Sequence, residues 1–280
     1  MDRDTQRKYL QLSPFELKDN LISLAAERTR VSTMAMLNAG RGNPNWIATT
    51  PREAFFTLGS FALEESRLIL SQPHIGGMPQ AQGIAKRFDD FAARNPQAPG
   101  IDLLKQAVAY ATNTFGFDAD ALVYELTDGI IGDQYPTPDR MLKCSERIVH
   151  EYLVQEMCAG QPPKGHYDLF AVEGGTAAMC YIFDTLMENR LLHRGDKIAL
   201  GVPTFTPYIE IPELDRYDFR VVNIFADEID AKGYHTWQYP DWQISRLADP
   251  SIKAFFIVNP SNPPSISLRS STMKRLADIV

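Results

Sequence analysis

The chain has 280 residues, 44% of them hydrophobic and 22% charged, which suits a globular protein with a real core and excludes a disordered or fibrous one. Its 28 basic and 35 acidic residues leave a formal charge of −7 with the signs interspersed, so no electrostatic footprint for nucleic acid or an anionic membrane is present. Three cysteines, Cys144, Cys158 and Cys180, share no CxxC or metal-type spacing, which argues against a disulfide framework or zinc site and for a reducing cytoplasm; no metal is expected.

The first 19 residues are charged and lack the apolar segment of a signal peptide, and no run approaches the roughly 18 apolar residues of a membrane span. No membrane association is expected. Ser13-Pro14-Phe15-Glu16 opens the first predicted helix, with serine placed to cap, proline in the first turn and glutamate three positions after the serine; the helix should reach about Arg28. Residues 36–45 hold two glycines, a proline and three asparagines, the composition of a loop with special backbone angles that is suited to touching a ligand. Helices are predicted over 51–70, 83–94 and 101–114, then a turn-rich stretch at 132–140, then a helix over 141–158 that places Leu142, Ile148, Val149, Tyr152, Leu153 and Met157 near one face. The Pro/Gly cluster at 159–165 marks the main boundary. The chain therefore reads as an N-terminal arm and substrate loop (1–50), a mostly helical region (51–160) and an α/β region (161–280).

After the boundary, short apolar runs at 168–172, 197–202, 220–225 and 253–258 have the character of strands buried in a parallel sheet. They alternate with helical patterns at 176–192, 206–214, 241–248 and 271–280, the order expected of an α/β fold with a mainly parallel sheet.

In open α/β sheets ligands bind beyond the carboxyl ends of the strands. Glu173-Gly174-Gly175-Thr176 follows the first apolar run and opens a helix, so free N–H groups and a hydroxyl face one spot; the same residues also suit an ordinary turn with a threonine cap. Phe205, between two prolines after the second run, is either a stacking surface for a flat heteroaromatic ring or a core residue. Asn259, before Pro260 in the stretch 259–264, either donates to a ring oxygen or closes the turn. Together, a phosphate cradle, a stacking ring and a fixed amide are what a phosphorylated aromatic cofactor needs.

The GT turn, the aromatic after a proline-containing turn and the sequence Asn259-Pro260-Ser261-Asn262-Pro263 resemble fold-type I pyridoxal-phosphate enzymes of the class I/II aminotransferase group. Longer phrases, SPFELKD (13–19), LNAGRGNPN (37–45), ATTPREAFF (48–56), DGIIGDQYPTPDRML (128–142) and VPTFTPYIEIPEL (202–214), resemble the aspartate 4-decarboxylase branch of that group. The resemblance implies that pyridoxal 5′-phosphate rests on Gly174, Gly175 and Thr176, with its ring under Phe205 and its 3′ oxygen near Asn259. It implies loss of the side-chain carboxylate of L-aspartate as carbon dioxide to give alanine, a side activity passing the amino group to a 2-oxo acid, and a homo-oligomer. Arg41 and Lys18 are the candidate grips for the substrate carboxylates, with Asn38 and Gly40 in the same loop as Arg41, and Tyr135 a further candidate.

The branch's Schiff-base lysine, pyridine-pairing aspartate and carboxylate-binding arginine are expected beyond Val280. Neither Lys253, entering the last strand, nor Lys274, in a charged helical pattern, matches the lysine's context. The 280 residues are accordingly expected to form the first part of a longer enzyme, inactive alone and aggregation-prone at an unpaired sheet edge. A simple aminotransferase is the nearest alternative, and a non-catalytic phosphate-ligand-binding protein the alternative from another class.

Overall fold

A computed structural model of the protein describes residues 3–10, 12, 14–29, 47–70, 72, 74–132 and 139–279. In chain order these residues form α1 (Arg3–Tyr9), α2 (Pro14–Thr29), α3 (Thr49–Ile69), α4 (Ile84–Arg94), α5 (Ile101–Phe115), α6 (Ala119–Ile131) and α7 (Lys143–Cys158). Then come α8 (Gly175–Glu188), β1 (Lys197–Val202), α9 (Pro207–Glu210), β2 (Arg220–Phe225), α10 (Asp241–Ser245), β3 (Ile252–Phe256) and α11 (Ser270–Ala277). The chain divides into two compact units, one within Met1–Gly42 and Val172–Val280, the other within Asn43–Ala171.

The second unit is helical. On α3 the buried positions Ala54, Thr57, Leu58, Phe61, Ala62, Glu65 and Ser66 recur three or four residues apart and so share one face. Leu58 and Phe61 meet Phe88 and Phe91 of α4, Ile101 of α5 and Val123 of α6 in one core, in which Phe61 sits edge-on to Phe88 at 5.3 Å between ring centroids. Two polar devices hold the helix ends. Glu65, only 3% exposed, receives the Arg87 guanidinium at 2.8 Å, and Asp120 accepts the N–H groups of Gly83 at 2.7 Å and Ala85 at 3.0 Å where α4 begins.

Helix α6 has no counterpart in the sequence-based assignment, which left the segment between 114 and 132 unassigned. Its signal is local: the Asp118 side chain accepts from the Ala121 N–H at 2.8 Å, an N-cap ahead of an apolar stretch. The assignment also placed no helix at α1. On α7 the expected apolar face is corrected at two of its positions, Leu142, Ile148, Val149 and Leu153 being half-buried. Tyr152 and Met157 are 61% and 70% exposed, and Val154 is the buried residue of the helix. Two contacts tie the helix to its neighbours: the Cys144 N–H donates to the Glu125 carboxylate at 3.0 Å, and the His150 ring stacks on Tyr167 at 4.6 Å.

In the first unit, β1 lies at the centre of a three-stranded parallel sheet of order β2-β1-β3. Alternation along β1 sends Ile198, Leu200 and Val202 to one side, where they meet Met179 and Phe183 of α8, Ile211, Tyr217 and Phe219. Ala199 faces the other side, with Ile224, Tyr239, Ile244 and Leu276. A strand with both faces covered is apolar in its interior, as β1 is from Ile198 to Val202.

The α/β reading therefore holds in its broad form, a helical assembly with a small parallel sheet. One expected strand is absent: residues 168–172 form no ladder among the described residues. A strand exists only through pairing, and the described sheet consists of β2, β1 and β3 without this run. The run begins instead on side-chain contacts, with Asp168 Oδ1 accepting from Arg140 at 3.0 Å and lying 3.1 Å from His166 Nε2.

Candidate functional site

Because the three strands are parallel, their carboxyl ends share one edge. Leu200 of β1 pairs with Phe256 of β3, so the segments holding Phe205 and Asn259 leave that edge from neighbouring strands. Helix α8 packs back along β1, and its first turn meets the segment after β1: a β-carbon placed on Gly175 would lie 3.8 Å from the Tyr208 hydroxyl.

The turn that opens α8 is built for approach. Gly174 has φ 142° and ψ 178°, a backbone region open to glycine and strained for any residue with a side chain. No side chain caps the helix, so its first N–H groups point outward without intrahelical partners, and Gly174, Gly175 and Thr176 are all exposed. An exposed helix start with uncapped amides favours an anion. Beside it, Glu173 accepts from Tyr181 Oη at 3.3 Å, and the charge of Glu173 raises the Tyr181 phenol above its usual pKa.

Beyond β1 the aromatic side chain emerges as the strand pairing ends. Phe205 is 37% exposed, and the Tyr208 ring meets it edge-on at 6.3 Å between centroids. Pro207 starts α9 and the Tyr208 N–H donates to the Phe205 carbonyl at 3.0 Å, which fixes both rings on one turn. Tyr208 was within the sequence motif without a role of its own; the start of α9 at Thr206-Pro207 places it one turn from Phe205. Beyond β3, Asn259 Oδ1 accepts the Leu268 N–H at 2.9 Å, while Nδ2 has Met273 Sδ at 4.0 Å. The carbonyl closes the loop and the amide hydrogens stay on an exposed residue, so the two sequence readings of Asn259 are compatible.

Among the expected substrate residues, Lys18 sits half-buried on α2 in an ion pair with Asp19 at 3.0 Å. Arg41, Asn38, Gly40 and Tyr135 lie outside the described residues. The structure thus joins the Gly174–Thr176 turn to the Phe205–Tyr208 turn and puts Asn259 at the adjacent strand end. The cysteines Cys144, Cys158 and Cys180 are free, and burial followed by the Glu125 carboxylate pushes the Cys144 thiol up to about 12. Among the described residues no cluster of His, Cys, Asp and Glu could hold a metal ion, and no helix is long and apolar enough to cross a membrane.

In class, then, the chain is an α/β protein whose distinctive features collect at the carboxyl ends of parallel strands. No family model matches it. It is 49% identical over 276 residues, 98% of its own length, to a curated protein of Pseudomonas sp named bifunctional aspartate aminotransferase and L-aspartate beta-decarboxylase. The match takes in 50% of that relative, so the chain spans about half the length of the curated protein it resembles.

Proposed function

We propose that these 280 residues form part of a fold-type I pyridoxal-phosphate enzyme that removes the β-carboxylate of L-aspartate to give alanine and carbon dioxide, and that transfers the amino group to a 2-oxo acid as a side activity. The carrying observation is the meeting of an uncapped helix start at Gly174–Thr176 with the exposed Phe205 and Tyr208 rings at one strand end. The 49% identity to the Pseudomonas sp protein supplies the reaction class.

The donor set fits the cofactor. The N–H groups at the start of α8 and the Thr176 hydroxyl would hold its phosphate, and Gly174 and Gly175 keep side chains out of that approach. Phe205 would cover one ring face and exclude water from it, and Asn259 would donate from Nδ2 to the ring oxygen while Oδ1 remains on the Leu268 N–H. When bound, pyridoxal phosphate supplies an electron sink for the bond-breaking at the substrate. Arg41 and Lys18 are assigned to the substrate carboxylates, with Asn38, Gly40 and Tyr135 as further substrate-binding candidates. How firmly these side chains hold the distal carboxylate, and how far they exclude water, decides between carbon dioxide loss and release of a keto acid. The lysine that anchors the cofactor is assigned to residues outside these 280, and the working protein to a cytoplasmic homo-oligomer.

The test is an assay of the complete protein with pyridoxal phosphate and aspartate and no added acceptor. Alanine and carbon dioxide in equal amounts are expected. Acceptor-dependent oxaloacetate alone would replace this reading with a simple aminotransferase, and binding of the cofactor with neither product would point to a non-catalytic phosphate-ligand protein.

A further inference from the structure

We propose that Tyr208 is a further phosphate-binding residue of this site, its hydroxyl donating to the anion from the side opposite the α8 amides. The inference rests on the site reading given above and adds a residue to it. Three observations carry it.

The Tyr208 ring is held in place. It packs against the core that contains Met179 and Phe183, its N–H is bonded to Phe205, and its ring meets that of Phe205 edge-on. Its hydroxyl then stands over the first turn of α8, 3.8 Å from where a β-carbon on Gly175 would be. Gly175 has no positive φ that would demand glycine, and a β-carbon there would make only an ordinary contact. What glycine leaves open is the gap between the hydroxyl and the turn.

The third observation is hydrogen bonding. Two other tyrosine hydroxyls of this unit are committed to carboxylates, Tyr217 to Asp184 at 2.7 Å and Tyr181 to Glu173 at 3.3 Å. Tyr208 Oη has no hydrogen-bond partner among the described residues, although it faces the uncapped α8 turn. An anionic oxygen between them would accept from both the phenol and the amides, and hydrogen bonds to a charged acceptor are the stronger kind.

The experiment compares the complete protein with Tyr208→Phe, titrating each with pyridoxal phosphate, with pyridoxal lacking the phosphate, and with inorganic phosphate as competitor. Loss of one hydrogen bond to a charged group should weaken pyridoxal phosphate and inorganic phosphate about tenfold and leave pyridoxal unchanged. Equal weakening of pyridoxal and its phosphate would assign Tyr208 a packing role and overturn the proposal, as would unchanged affinities throughout. If the parent protein itself bound neither phosphate compound, the site reading and this inference would fall together; if only Tyr208→Phe were indifferent, this inference alone would fall. Should Tyr208→Phe not fold, Tyr208→Leu and Tyr208→Met take its place in the same titrations, and undiminished phosphate affinity in a folded variant overturns the proposal.

Discussion

Single residues show how closely this fold is fitted near its strand ends. Gly201 sits on β1 with the Tyr239 side chain directly over it: a β-carbon there would overlap Tyr239 Oη and lie 3.1 Å from its Cζ and 3.4 Å from Phe255 Cζ. Tyr239 has little room to move, since it is 6% exposed and burial pushes its phenol up to about 12. Gly201→Ala should therefore destabilise the protein by about 1–3 kcal/mol, the usual cost of overpacking. Urea unfolding checks this, and Tyr239→Phe in the same chain should restore part of the loss, because it removes the obstructing oxygen. None of this was legible in the sequence. GVPTF announces a strand end, yet which residue lies over Gly201 depends on a chain segment 38 positions later. Gly174 is the contrasting case. A Gly-Gly-Thr at the start of a helical pattern reads as a turn from composition alone, and the structure gives Gly174 a φ of 142°.

At the scale of elements, the starts of β1 and β3 are tied together by charge. Asp249 accepts from the Ser251 hydroxyl at 2.6 Å and from Lys197 Nζ at 3.0 Å. The Ser251 hydroxyl, then its N–H, then Lys197 hold the Asp249 carboxyl down at about 2, below the ordinary 3.8. A carboxyl depressed on folding contributes stability in full above its unfolded value and loses it as the pH falls through its folded one. That contribution should be complete above pH 4 and fade between 3.8 and about 2. Asp249→Asn should therefore melt below the parent at neutral pH and approach it near pH 2, as followed by thermal unfolding across that range. The strands and most helices were readable at this scale because apolar periodicity and Pro/Gly punctuation are local. Failures came where neighbours decide. Residues 168–172 have the apolar character of a strand but no partner, and on α7 Val154 is buried while Tyr152 and Met157 are exposed. Helix α6 was missed although Asp118 marks its start, a local signal overlooked rather than one withheld by the fold.

For the whole molecule, the unit within Asn43–Ala171 encloses its own core, with α3, α4, α5 and α6 supplying all of the cluster around Phe61. A unit with a core of its own is expected to fold alone even though Phe55, Phe56, Leu63 and Leu68 of α3 stay exposed on it. Residues 43–171 expressed separately should show a helical far-UV spectrum and a cooperative thermal transition; a gradual, non-cooperative melt would contradict that expectation. By itself the sequence determined the α/β class and the alternation of strand and helix after residue 190, and it offered candidate positions for holding a phosphorylated ring, because turn chemistry, periodicity and motif spacing act within a few residues. Only the tertiary structure decided which runs became strands, which face α7 buries, and that the Tyr208 hydroxyl stands over the Gly175 turn. Those outcomes depend on pairing and packing between segments far apart in the chain, and no local pattern encodes which distant residue arrives.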